Sequence, residues 1–444
     1  MISTLILVLL CQSGSLSEQW FPHPSGASAF EDYTRAADII ATREYAGLSA
    51  WQSADGKSKE FPTVTLGLRI DVFKPPTADE SAKLTGQLKP NDFLTVCSME
   101  AKEFGTALGW IQTGNGKSSQ IDLSAYDQER YMAAMMPYFN SLANLSLRTA
   151  YAKIAEGRTD QGAQILVDQL EFTDNLGRTG TGGMLTALGI EDQDFAFCQR
   201  YLGHLSNKDC FQLARAVKTL IARPPAVQDQ FKSAERFWEA RIGEYVQKMS
   251  PGISAAKDEG GDVLPGELND ISLAKAVQKL TSDQQQDLIT KASAMADTAM
   301  KQYGTRFTGP ERDWLSVAPE NQLFKLGGVT RADDLPQQVA YRNRPKSGTL
   351  RLLLKRATTQ RVRLRLLEVH TSILVYKWRN GRLPQSLDEL RDVPIDDPLT
   401  GKTFQYLAHP DGSYDLASLG TADTGPIELG KGPIMKSPQA PIHP

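Results

Sequence analysis

The stretch Leu366 to Gly420, LLEVHTSILVYKWRNGRLPQSLDELRDVPIDDPLTGKTFQYLAHPDGSYDLASLG, reads as helix, stop, short helix and hairpin, each for a stated chemical reason. Val362, Leu366, Val369, Ile373 and Tyr376 recur at spacings of four and three, which places them on one face of an α-helix. Arg379 suits the last turn electrostatically, and Asn380-Gly381 supplies the left-handed backbone at which a helix ends. Pro384 keeps the helix from resuming at once. Ser386 and Glu389 lie three apart, the spacing of a capping box, so a short helix with Leu387 and Leu390 facing inward is predicted. Pro394 and Asp397-Pro398 demand extended backbone, and Thr400-Gly401-Lys402 reads as a turn. Phe404 and Tyr406 alternate with polar residues, His409-Pro410-Asp411-Gly412 carries proline second and glycine fourth, and Tyr414, Leu416 and Ser418 alternate again. That pattern predicts a β-hairpin.

In this order (a long helix ending in Tyr376, Gly381 and Pro384, then Leu387-Asp-Glu-Leu390, Asp397-Pro398 with Gly401-Lys402, Phe404 with Tyr406, and Tyr414-Asp-Leu with Ser418 and Gly420) the stretch resembles the C-terminal globular part of the major pseudopilins of type II secretion. The same module closes many exported bacterial proteins whose bulk is helical, and this chain resembles those more. The resemblance covers about an eighth of the chain. In pseudopilins the long helix starts as a membrane-spanning N-terminus. Here some 340 residues precede it, and Arg351, Lys355, Arg356, Arg361, Arg363 and Arg365 interrupt any apolar run of ~20 residues, so packing into a pilus is not expected. The resemblance also implies a calcium loop after the last strand. Ser418 to Asp423 matches its start, but Thr424-Gly425-Pro426 stands where further oxygen ligands are needed, and Ca²⁺ takes six or more, so no metal is expected.

Outward from this stretch, 444 residues with 41% hydrophobic content are enough for ordinary globular cores. Met1 to Leu10, MISTLILVLL, is a short apolar run ahead of polar residues and resembles a secretory signal peptide, although the usual leading positive charges are missing. Residues 1–17 are therefore expected to be a signal peptide and the protein to be extracytoplasmic, periplasmic or envelope-associated. Residues 18–340 are expected to form a helical domain with loop-rich stretches at 250–270 and 304–340. Residues 341–424 follow as a basic long helix plus α+β module, and 425–444, rich in proline, as a disordered tail.

Within the helical part, Phe30, Tyr33, Ala36, Ala37, Ile39 and Ile40 mark the first core helix. Further helices are predicted over Tyr131 to Leu147, Ala150 to Glu156, Gln161 to Leu176, Met184 to Leu188, Asp194 to Leu205, Cys210 to Ala222, Ala226 to Met249 and Ile271 to Tyr303. Arg148 to Ala163 resembles one tetratricopeptide-like hairpin, without a sustained period of 34 residues. Val64 to Val72 alternates apolar and polar as a strand would. The fold class expected is mainly α, an antiparallel helical array followed by a small α+β module.

Charge is uneven. Residues 341–379 hold eleven Lys/Arg against the single Glu368, which leaves about −13 on the rest of a chain whose net charge is −3. Lys355, Arg356, Arg361, Arg363 and Arg365 are accordingly candidates to contact an anionic envelope surface or an acidic partner protein. The competing reading is a solvated face, and Leu352, Leu353, Leu354 and Leu364 among the charges favour it. Cys198 and Cys210 lie twelve apart across a helix-loop-helix, and either form a disulfide or stay as two small buried residues. The five histidines are scattered, and no catalytic motif is present. Gly114 to Ser118 and Gly177 to Gly183 read as turns before they read as phosphate cradles. No cofactor is expected. The function expected is a non-catalytic envelope or interaction protein. The alternatives are an envelope hydrolase built from dispersed residues, for which a cleft gathering His204 or His370 with two carboxylates would speak, and a cytoplasmic nucleic-acid binder.

Overall fold

The computed structural model describes residues 15–53, 90–223 apart from 122 and 124, 226–248, 267–304, 334–343, 349–391, and 393–429 apart from 423. The expected strand at Val64 to Val72, the apolar run Met1 to Leu10 and the last fifteen residues lie outside these. The chain is mostly helical and closes with a three-stranded antiparallel sheet. Contacts divide it into two units, one of Met1–Asp122, Gln128–Ala226 and Thr359–Pro444, the other of Leu123–Asp127 and Val227–Thr358. The sequence places a boundary near 340. In the structure residues from Thr359 onward belong with the first half of the chain instead.

In the first unit, α1 (Leu16–Trp20) is capped by a box in which Ser15 and Glu18 satisfy each other's backbone N–H groups. Leu16 is buried, and its N–H and the Ser17 hydroxyl both donate to the Asp38 carboxylate. Residues 16 and 17 thus pack onto the helix that carries Asp38.

The first core helix is α2 (Ala29–Ser53), with Phe30, Tyr33, Ala36, Ala37 and Ile40 fully buried. Helices α3 (Pro90–Glu103) and α4 (Gly105–Asn115) follow. Gly114 is needed for packing: a Cβ there would lie 2.6 Å from the Tyr33 ring and 3.0 Å from the Ala29 carbonyl, so only glycine lets α4 approach α2 this closely. The phosphate-loop lookalike at Gly114 to Ser118 is therefore a helix end, and its Lys117 pairs with Asp32 at 2.6 Å.

Two helices expected over 131–156 are one, α5 (Ala125–Ala155), because nothing between Leu147 and Ala150 stops a helix. The hairpin to α6 (Thr159–Leu176) turns at Gly157, as the tetratricopeptide-like pattern predicts. The segments 184–188 and 194–205 likewise merge into α7 (Thr181–Tyr201). Helix α8 (Asn207–Ala222) starts with a second capping box, Ser206 with Asp209. Edge-to-face contacts among Phe30, Tyr33, Tyr131, Phe139 and Phe172 join α2, α5 and α6.

The second unit contains α9 (Ala226–Lys248), α10 (Glu267–Gln278), α11 (Ser282–Gly304) and α12 (Leu335–Arg342). The single helical run expected over 271–303 breaks at Thr281, whose hydroxyl and Gln284 form a reciprocal cap that restarts the chain as α11. Trp238 is fully buried, and its indole N–H donates to the Ala340 carbonyl of α12 at 2.8 Å.

Helix α13 (Thr349–Asn380) runs from the second unit into the first and stops where the sequence says, with Gly381 at φ +68°. Its predicted face is buried at Val362, Leu366, Val369 and Ile373, but so are Leu364, Leu367, Thr371 and Val375, which means the helix is covered on more than one side. The predicted short helix is a single 3₁₀ turn, Leu387–Glu389. Ser386 does not cap it, and Glu389 instead accepts from the Gln385 N–H at 2.6 Å.

Strands β1 (Gln405–Ala408) and β2 (Tyr414–Thr421) form the expected hairpin, with Tyr406 opposite Leu416 and Ala408 opposite Tyr414. A third strand, β3 (Gly425–Glu428), comes from the start of the segment expected to be disordered. Ile427 and Leu429 are the reason, since both are buried against the module.

Candidate functional site

In α8 the buried residues Cys210, Leu213, Val217, Leu220 and Ile221 recur at three and four, which turns Phe211, Ala214, Arg215 and Lys218 away from the core. On α13, Glu368, Ser372, Val375, Tyr376 and Arg379 repeat with the same period. Both rows, together with the segment Asp388 to Val393, line a groove of about 1020 Å³ within the first unit. Of the lining residues Val375 and Leu390 are buried, whereas the Phe211 ring is 58% exposed.

The groove's carboxylates and cations are treated differently. Glu389 accepts from Arg382 at 2.8 Å, from the Tyr376 hydroxyl and from the Gln385 backbone N–H, and the Arg382 contact foremost holds its pKa down to about 2. Such a carboxylate stays ionised and has no proton to give. Glu368 is buried and bridged by Arg365 at 3.1 Å. That leaves Asp388 exposed, with only the Ser386 hydroxyl at 3.3 Å. By contrast Arg215, Lys218, Arg379 and Arg391 are all exposed, and none has an ion-pair partner among the described residues. The groove therefore presents positive charge around an apolar floor.

The sequence candidates fall as follows. Lys355 is exposed and Arg356 half-buried, on the part of α13 that belongs to the second unit. Arg363 bridges Asp192 on α7 and stacks over the Phe195 ring at 5.7 Å. Arg365 is held by Glu368, and Arg361 is half-buried. Arg363 and Arg365 thus act inside the fold.

Cys198 and Cys210 are both buried free thiols, and the disulfide considered from their spacing is not formed. The Cys210 thiol points at the Leu202 carbonyl, 3.8 Å away, and burial pushes it up to about 12. His370 has Nδ1 against the Tyr414 hydroxyl, and burial lowers its pKa to about 4, while His204 packs on the Tyr201 ring. Neither histidine lines the groove. Asp397 is the turn device its position before proline suggests: its carboxylate accepts from the Leu399 N–H at 2.9 Å and from the Thr400 and Ser418 hydroxyls at 3.1 and 2.8 Å. Among the described residues no group of three or more metal-binding side chains is present, and no helix is long and apolar enough to cross a membrane.

Two of the acids whose pKa is raised, Glu191 and Asp194, lie in the helical core and away from the groove. Burial raises Glu191 well above the ordinary carboxylate range, with Arg363 opposing. Burial also raises Asp194 to about 7, although Thr173 and Gln169 donate to it at 2.7 and 3.0 Å. Because the folded state holds this proton more tightly than the unfolded chain, the Asp194 contribution to stability is present at low pH and lost as pH rises from about 4 to about 7. Asp194→Asn should remove that slope. Urea denaturation at pH 5 and pH 8 is expected to show the variant gaining on the wild type at the higher pH by a few kcal/mol. An unchanged difference at the two pH values would refute this reading.

No family model, characterised protein or solved structure matches the chain. The groove was not legible in the sequence. Arg215 and Lys218 carry the ordinary signal of a solvated helix face, and only the packing of α8 beside α13 gathers them with Arg379 and Arg391.

Proposed function

We propose that this protein is a non-catalytic interaction component of the cell envelope, ending in a pseudopilin-like module, and that it engages a partner through the groove between α8 and α13. The observation that carries the reading is the imbalance within that groove: four cations have no ion-pair partner among the described residues, while Glu368 and Glu389 are held by internal partners. Charges left unpaired in a concavity favour an oppositely charged ligand and speed its encounter. The long helix, its stop at Gly381 and the hairpin support the module reading, and the apolar run at Met1 to Leu10 supports export. Since Leu16 and Ser17 are bound to Asp38, and Ser15 caps the helix that carries them, a processed chain should begin at or before Ser15.

The test is photocrosslinking in intact cells with benzoylphenylalanine at Lys218 or Asp388 and, as control, at Lys291 of α11. Discrete adducts are expected from the two groove positions and none from the control, in the envelope fraction and with an N-terminus at or before Ser15. Adducts equally abundant at Lys291, or none at all, would overturn the interaction reading. An intact Met1 in the cytoplasm would overturn the compartment.

A further inference from the structure

We infer that the occupant of the groove is an acidic peptide segment of a partner protein that carries an aromatic or aliphatic anchor, an assignment that rests on the interaction reading above. The charge pattern selects the sign. Arg215 and Lys218 stand one helical turn apart on α8, Arg379 stands on the last turn of α13, and Arg391 lies on the third segment, against Asp388, the one groove carboxylate without a cationic partner among the described residues. Guanidinium groups match carboxylates in pairs of N–H···O bonds, so three arginines and a lysine suit discrete carboxylates on a flexible backbone.

The floor selects the rest of the ligand. Phe211 presents an exposed ring beside Ala214, and Val375 and Leu390 lie at the base, 9% and 8% exposed. An apolar side chain between acidic neighbours would cover Phe211 and reach that base, which is the arrangement in which buried anchors supply most of the affinity. A planar lipid surface cannot follow the concavity down to Val375 and Leu390. A nucleic acid carries an unbroken run of charge, and the wall bearing Asp388 and Glu389 repels such a run, whereas a peptide can place its carboxylates away from them.

The experiment is fluorescence anisotropy with the full chain and four probes: a fluorescein-labelled octapeptide alternating glutamate with phenylalanine and leucine, the same peptide with lysine for glutamate, labelled oligothymidylate, and vesicles of phosphatidylglycerol. The acidic peptide is expected to bind and the lysine peptide not to. Arg215→Glu combined with Arg379→Glu should weaken binding at least about tenfold, and Phe211→Ala about fivefold, with circular dichroism unchanged because all three side chains are exposed. The milder Arg215→Gln with Arg379→Gln should show the same direction if the reversal disturbs the fold. Preference for oligothymidylate or vesicles, with the same sensitivity to reversal, would overturn the peptide assignment and leave the groove as the docking face. Acidic-peptide binding unaffected by the groove variants, or no binding of any probe, would overturn the assignment as well. In both cases the crosslinking at Lys218 and Asp388 decides the interaction reading independently.

Discussion

Arg148→Ala is expected to destabilise the protein by about 3–5 kcal/mol, the cost typical of removing one partner from a buried ion pair. Arg148 lies within α5, where a sequence reader expects a helix break, and is 1% exposed. One guanidinium nitrogen, Nη1, donates to both oxygens of Glu100 on α3, at 3.0 and 3.1 Å. Burial already raises the pKa of Glu100 more than Arg148 lowers it, so the pair spends its attraction on desolvation. Without the arginine, a carboxylate at 2% exposure must either stay charged in the core or take up a proton. A folded-state pKa raised further means that stability is lost as pH rises above the unfolded value, so the gap between variant and wild type should be wider at pH 7.5 than at pH 4.5. Replacing both residues by methionine should restore most of the loss. Urea denaturation of the two variants at both pH values checks this, and a single-variant loss under ~1 kcal/mol would refute it.

Asp397→Ala is expected to cost about 2–4 kcal/mol, concentrated in the C-terminal module. Asp397 is 1% exposed, and its carboxylate ties the turn at Leu399 and Thr400 to Ser418 on β2, while its backbone carbonyl accepts from Thr400 and Gly401. Alanine leaves the Leu399 N–H and the buried Ser418 hydroxyl without an acceptor, and an unsatisfied buried donor is what makes such deletions expensive. Hydrogen exchange should therefore accelerate at β1 and β2 before it does in α2 or α6. Asp397→Asn keeps one acceptor oxygen and should lose less. Equal protection of β1 and β2 in the alanine variant and the wild type would show that the carboxylate is not what joins turn to sheet.

These two residues show what could and could not be read from the chain. Asp397 before Pro398 is visible as a turn, because the preference of aspartate for its own neighbouring N–H groups is local chemistry. Arg148 was not visible as a core residue. A buried arginine is identified by the carboxylate opposite it, and Glu100 is far away in sequence. The same contrast runs through the helices. Capping boxes at Ser15, Ser206 and Thr281 follow short-range rules, yet apolar spacing that continues through 271–303 hides the restart at Thr281. The merging of predicted helices into α5 and α7 shows the reverse: apolar spacing wavers where a helix turns from one neighbour to another, and the wavering imitates a break.

For the site the contrast is sharper. The basic segment 341–379 stands out because eleven cations sit close in sequence, yet Arg363 and Arg365 serve Asp192 and Glu368 inside the fold. The cations that face a concavity together, Arg215, Lys218, Arg379 and Arg391, come from three separate segments.

By itself the sequence determined the stop of α13 at Gly381, the turn at Asp397, the hairpin from Phe404 to Ser418 and the mainly helical class, because each depends on propensities and hydrogen bonds within a few residues. Only the tertiary structure decided that α13 is covered on more than one side, that Ile427 and Leu429 extend the sheet by a third strand, and which charges remain free to meet a ligand. Those outcomes depend on burial and on charge partners distant in sequence. Desolvation acts through neighbours in space, and the order of residues along the chain does not specify which neighbours those will be.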